Sequence, residues 1–116
     1  MKDDPAILPL APATLHILLA LSDGDLHGYG IIQEVLRQSE GRYKLGPGTL
    51  YDNLQRLLEH GMVEEVDSPR PVTSSRRRYY RLSKLGSRVL SAELSRLEGV
   101  VRYGKLRLQG ARPRRA

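Results

Sequence analysis

One stretch limits what this chain can become more than any other: YKLGPGTLYDNLQRLLEHG, running from Tyr43 to Gly61. A proline between two glycines stands ahead of a strongly patterned segment, and a glycine stands directly behind it. Gly46 suits a helix N-cap, and Pro47 suits the first helical position, where its missing N–H is no loss. Leu50, Leu54, Leu57 and Leu58 recur at helical spacing and make one apolar face. His60 falls in the last turn, and Gly61 supplies the left-handed residue that closes it. The punctuation therefore starts and stops one amphipathic helix sharply.

The rest of the chain arranges itself around that helix. Residues 1–11 carry two prolines and two acids and read as an extended or partly ordered arm. A first helix opens at Pro12 and closes at Asp23-Gly24; Leu15, Leu18, Leu19 and Leu21 lie nearly all round it, so it is expected to be buried centrally. LHGYGIIQEVLRQSEG follows as a second, amphipathic helix ending near Gly41, with Tyr29, Ile31, Ile32, Val35 and Leu36 as its apolar residues. After Gly61, MVEEV reads as a strand and DSPRPVTSS as a loop. RRRYYRL reads as a second strand, with Tyr80 and Leu82 on one face and Tyr79 and Arg81 on the other. Ser83 then caps a long last helix. Leu90, Leu94, Leu97, Val101 and Leu108 form a heptad-like seam with Gly104 in the missing slot. From 83 to 108 that helix would measure about 39 Å at about 1.5 Å per residue, more than a small domain can cover. Residues 109–116 are a basic tail.

Charge divides the chain. Residues 1–60 hold 5 basic and 8 acidic side chains, whereas 61–116 hold 14 basic and 5 acidic ones. An acidic half joined to a strongly basic half suits a polyanionic partner. With no cysteine among 116 residues there is neither a disulfide framework nor a thiolate metal site, which fits a reducing, cytoplasmic setting. No apolar run reaches the length of a membrane span, and the N-terminus lacks the basic start of a secretory signal. His16, His27 and His60 form no metal or nucleophile spacing, and no phosphate loop or cofactor motif is present, so catalysis is not expected.

Three helices, a hairpin and a long apolar-striped helix describe a mainly α fold with a β wing: a winged helix-turn-helix over 12–82 with a C-terminal dimerisation helix over 83–108. In that architecture the third helix enters the major groove of double-stranded DNA and the wing lies beside it. The expected DNA contacts are Lys44, the slim start Gly46, Pro47 and Gly48, then Thr49, Tyr51, Asn53 and Arg56. Arg56 would donate to guanine, Asn53 would pair with adenine, and Thr49 would meet a thymine methyl or a phosphate. Asp52 also falls on the outer side and needs a cytosine amino group, Arg56 or solvent as partner. Arg76, Arg77 and Arg78 at the base of the second strand are placed for phosphates or a narrow minor groove. Leu90, Leu94, Leu97, Val101 and Leu108 are the expected homodimer seam.

With these residues in place, the sequence resembles the PadR family of bacterial transcriptional regulators. The likeness rests on LHGYGI, on GPGTLYDNLQRLLEHGMVEE and on RRRYYRLSKLG, in matching order over roughly residues 12–90. Its length is similar to that of the short subfamily, whose C-terminal part is a single dimerisation helix. The resemblance implies a homodimer on a pseudo-palindromic operator, commonly a repressor, with small aromatic or drug-like compounds as releasing effectors. One departure stands out. Many members carry a tryptophan or another large aromatic on the last helix, whereas this chain has no Trp and no Phe, and Tyr103 is the only aromatic there. The competing reading is a winged-helix adaptor for another protein, which would have no need of basic residues around the third helix.

Overall fold

The computed structural model describes residues 8–67 and 78–110. Arg76, Arg77, most of the loop before them, the first seven residues and the tail from 111 lie outside the described residues. The element order is α1 (Pro12–Leu21), β1 (Leu26–His27), α2 (Gly28–Gln38), α3 (Pro47–Glu59), β2 (Val63–Val66), β3 (Tyr79–Leu82) and α4 (Lys84–Gly110).

The core forms where the apolar faces of these helices converge. Ile17 and Leu18 of α1, Ile31 and Val35 of α2 and Leu50 of α3 are completely buried, with Leu54 of α3 and Val89 of α4 nearly so. Each such side chain contributes about 1.5–3 kcal/mol of burial. The mainly helical winged-helix architecture expected from the sequence is the one observed. The sheet differs in one respect: it has three antiparallel strands in the order β1-β3-β2, not two. Leu26 and His27 pair with Tyr80 and Tyr79, a two-residue strand too short to leave an alternation in the sequence. On α2, Tyr29 and Leu36 are exposed, so its buried stripe is narrower than expected.

Two Schellman motifs punctuate the helix-turn-helix and its exit. After α2, Gly41 donates to the Leu36 carbonyl at 2.8 Å and Glu40 to Arg37 at 3.0 Å. After α3, Met62 donates to Leu57 at 2.9 Å and Gly61 to Leu58 at 3.1 Å. Gly61 takes φ +74° at the second motif, where glycine is unstrained, but Glu40 takes φ +55° at the first. The turn into α3 is pinned to α1: the Tyr43 ring stacks on His16 at 4.6 Å, and Gln38 donates to the His16 carbonyl at 3.0 Å.

Where α3 ends, α4 begins. The Ser83 hydroxyl donates to the Gly61 carbonyl at 2.6 Å and accepts from the Gly86 N–H at 3.0 Å, so one side chain closes one helix and caps the next. The 27 residues of α4 span about 40 Å and run unbroken through Gly99 and Gly104. Its buried residues are Gly86, Val89, Leu90 and Glu93; everything after Glu93 lies outside the core.

Candidate nucleic-acid interface

The start of α3 stands clear of the fold. Lys44, Gly46, Pro47, Gly48 and Thr49 are all exposed, while Leu45 between them is buried and anchors the approach. The N-cap Gly46 has no side-chain cap bond, unlike α2, capped by His27, and α4, capped by Ser83. The N–H groups of the first turn therefore face outward at the positive end of a helix, the arrangement that accepts phosphate oxygens. No acidic residue lies between Tyr43 and Tyr51.

At 100° per residue, the centre of the exposed face is formed by Gly48, Asp52, Gln55 and Glu59, with Thr49 and Arg56 on one flank and Tyr51 on the other. Gln55 was not among the expected contacts. It lies one helical turn beyond Asp52 on the most outward line, and its amide donates to Glu59 at 3.2 Å. Its position could have been found by completing the helical wheel.

Asn53 is not on that face. It is 7% exposed, and its carbonyl accepts from the Thr14 hydroxyl of α1 at 2.7 Å while its amide donates to the Thr49 carbonyl at 2.9 Å. Its hydrogen-bonding groups join two helices and are not offered to adenine. Arg56 is exposed, at the rim of a small cleft of about 140 Å³ that also involves Thr14, Asn53 and His60. Tyr51 is half exposed; its hydroxyl lies against Gly28 so closely that no Cβ fits there, which tilts the ring toward the start of α2.

The wing's described cations are both occupied. Arg78 pairs with Glu65 at 3.3 Å, and Arg81 with its cross-strand partner Glu64 at 3.4 Å. These pairs are solvent-exposed and worth about 0–1 kcal/mol, little enough for a polyanion to displace. On the inner face, burial first and the Glu65 carboxylate second push the Tyr80 phenol up, so it stays neutral.

Of the expected seam, Leu94, Val101 and Leu108 are exposed and Leu97 is half-buried. Leu90 is not part of the exposed stripe. It is 5% exposed and packs into the core of its own domain, because the first turns of α4 lie on α1 and β3. Leu106 borders the same groove as Leu94, Leu97 and Val101, and Val100 and Tyr103 are further exposed apolar residues of the helix. Tyr103 points away from the seam, with the Arg107 guanidinium 5.0 Å over its ring.

Glu93 escaped the sequence reading altogether. It stands between Ala92 and Leu94 and was not singled out as a candidate, yet it is 1% exposed. Arg96 holds its carboxylate with two hydrogen bonds, 2.7 and 2.9 Å, and the Leu10 N–H adds a third at 3.1 Å. The Arg96 bonds hold the carboxyl below the usual carboxylate range; burial opposes them and the Leu10 N–H assists.

A three-helix domain with a capless third helix, a three-stranded wing and a projecting last helix defines the winged-helix class. Comparison with known proteins narrows it. The model of the transcriptional regulator PadR-like family matches residues 17–92. The transcriptional regulator Rv3488 of Mycobacterium tuberculosis is 36% identical over 92 residues, covering 79% of this chain and 81% of that one. The chain belongs to the PadR-like family of transcriptional regulators, a family of regulators and not of enzymes. Solved structures agree in fold. A PadR family transcription regulator of Clostridium difficile superposes with a TM-score of 0.69 at 22% identity, covering 85% of this chain and 97% of that one. Bacillus subtilis PadR, solved in complex with operator DNA, gives 0.63 at 21% identity over 72% of this chain and 47% of that one. No helix among the described residues is long and apolar enough to cross a membrane.

Proposed function

We propose that the chain is a homodimeric repressor that binds a pseudo-palindromic DNA operator. The observation that carries this reading is the bare start of α3: exposed residues Gly46–Thr49, uncapped N–H groups, Lys44 beside them and no carboxylate until Asp52. The first turn makes the phosphate and base contacts, Thr49 and Arg56 read one flank and Gln55 the centre, and Tyr51 borders the wing. Asn53 supports the helix from behind. Arg78 exchanges Glu65 for phosphate, and Arg76 and Arg77 precede it in the sequence. The exposed stripe of Leu94, Leu97, Val101 and Leu108 is the dimer seam, which sets the two copies of α3 about 34–36 Å apart or at a multiple of that. Repression is the mode the family resemblance implies. A seam without an aromatic residue gives a flat effector nothing to stack on, so any releasing ligand is held by apolar contact and not by ring sandwiching.

The test is a fluorescence-anisotropy titration of the DNA upstream of the chain's own gene, at several salt concentrations, against an unrelated duplex. Six to ten phosphate contacts would weaken binding by about 10³–10⁵ between 50 and 200 mM salt. Equal affinity for both duplexes, or no binding at low salt, would favour the adaptor reading.

A further inference from the structure

α4 leaves the core of the domain at a buried carboxylate. Up to Glu93 the helix packs on the core; from Leu94 onward it projects. The last anchoring residue is therefore an ion at 1% exposure, a place where an apolar side chain would ordinarily sit. Its two partners belong to different elements. Arg96 lies on α4 itself, one turn further out, whereas the Leu10 N–H belongs to the segment entering α1. Four residues on, Thr14 of that segment donates its hydroxyl to Asn53 of α3, and Asn53 in turn donates to the Thr49 carbonyl in the first turn of α3. A short stretch, residues 10–14, thus holds the exit of α4 at one end and the exposed probe helix at the other.

We infer that Glu93 is a positioning residue: through Leu10 and the 10–14 segment it fixes the angle between α4 and α3, and hence how two copies of α3 are spaced in the assembled regulator. The part about spacing rests on the dimeric DNA-binding reading; the part about the angle does not. Direction is what a buried carboxylate with three fixed donors supplies and an apolar contact does not. Buried ion pairs add little to stability over well-packed apolar replacements of similar volume, and their best-attested use is to select one arrangement among several. Leverage makes the arrangement consequential. From Glu93 to Arg107 the helix extends about 21 Å, so a swing of about 10° at the exit moves that point by about 4 Å.

The chain has no cysteine, so two introduced ones report one distance. Spin labels at Glu59→Cys on α3 and Arg107→Cys on α4, both exposed, would be measured by double electron–electron resonance, with excess unlabelled protein so that each assembly carries one labelled chain. The expected result for the otherwise unchanged chain is a single narrow distance. In the Glu93→Met/Arg96→Met variant the melting temperature should stay close to that of the parent, while the distribution broadens by about 4 Å or more. Glu93→Gln keeps an acceptor for the Leu10 N–H but loses the paired bonds to Arg96; it serves as the second variant should the double variant not fold, and should broaden the distribution as well. A folded variant with the parent's narrow distance overturns the inference. Unlabelled proteins are then compared on duplexes whose half-sites are moved by one or two base pairs. Loss of spacing preference in the variant extends the result to DNA, and unchanged preference overturns that extension. Failure of the unmodified chain to bind DNA at all would instead reject the DNA-binding reading and leave the distance result standing.

Discussion

Gly86→Ala is the substitution on which the structure speaks most sharply. Gly86 sits in the first turn of α4, and a Cβ there would come within 2.9 Å of Leu82 Cδ1 and 3.0 Å of the Met62 carbonyl carbon, and closer still to the Met62 oxygen. That oxygen cannot yield alone. It accepts from the Ser83 N–H at 3.0 Å and follows the motif that ends α3. The two backbones must therefore part by about an ångström, an overpacking that costs about 1–3 kcal/mol. The bonds of Ser83 to Met62 and Gly61 lengthen with it, at about 1 kcal/mol each. Alanine recovers up to about 1 kcal/mol of helix propensity, so the net loss is about 2–4 kcal/mol. For a domain of this size that lowers the melting temperature by about 8–32 °C, measured by circular dichroism at a fixed protein concentration. The control is Gly99→Ala, where nothing lies within 4 Å and the same change should stabilise by up to about 1 kcal/mol. Were Gly86→Ala as stable as Gly99→Ala, the close approach of α4 to the end of α3 would be refuted.

Glu40→Gly removes a non-glycine residue from the left-handed position after α2 and should raise stability by about 0.5–1 kcal/mol in urea unfolding, with an unchanged m-value. Asn53→Ala should destabilise the fold by about 1–2 kcal/mol by stranding the Thr14 hydroxyl and removing the side-chain bond to the Thr49 carbonyl, whereas Arg56→Ala should leave the melting temperature alone and weaken DNA binding by about 1–3 kcal/mol at one base position or reduce the salt slope by about 1. Because the Glu93 carboxyl is held below its unfolded value, ionised Glu93 contributes stability above an unfolded pKa of roughly 4.3, and that contribution disappears as pH falls through the lower folded value. The gap in melting temperature between the parent chain and Glu93→Gln should therefore be widest near neutrality and shrink in acid; a gap constant from pH 7 to pH 3 would contradict this.

What could be read in advance was what is local. The start of α3 at Gly46-Pro47 and its end at Gly61 are set by backbone preferences of the residues themselves, as is the Ser83 cap. The inward and outward faces of β3 followed from alternation. What stayed hidden depends on partners distant in sequence. Asn53 lies at the margin of the α3 stripe, and only Thr14, 39 residues away, decides that it turns inward. Leu90 continues the α4 seam in spacing, yet the core of its own domain claims it. Glu93 owes its burial to Leu10, 83 residues earlier, and no pattern along the helix announces that contact. A two-residue strand such as β1 exists only because β3 is there to pair with it.

The central claim is that two copies of the chain together present two α3 helices to one duplex. Native mass spectrometry of the full chain mixed with its upstream DNA, at concentrations above the dissociation constant, measures this directly. The expected complex holds two chains per operator, with the free protein already dimeric at micromolar concentration. One chain per duplex, or a monomer that binds no DNA, would contradict the account.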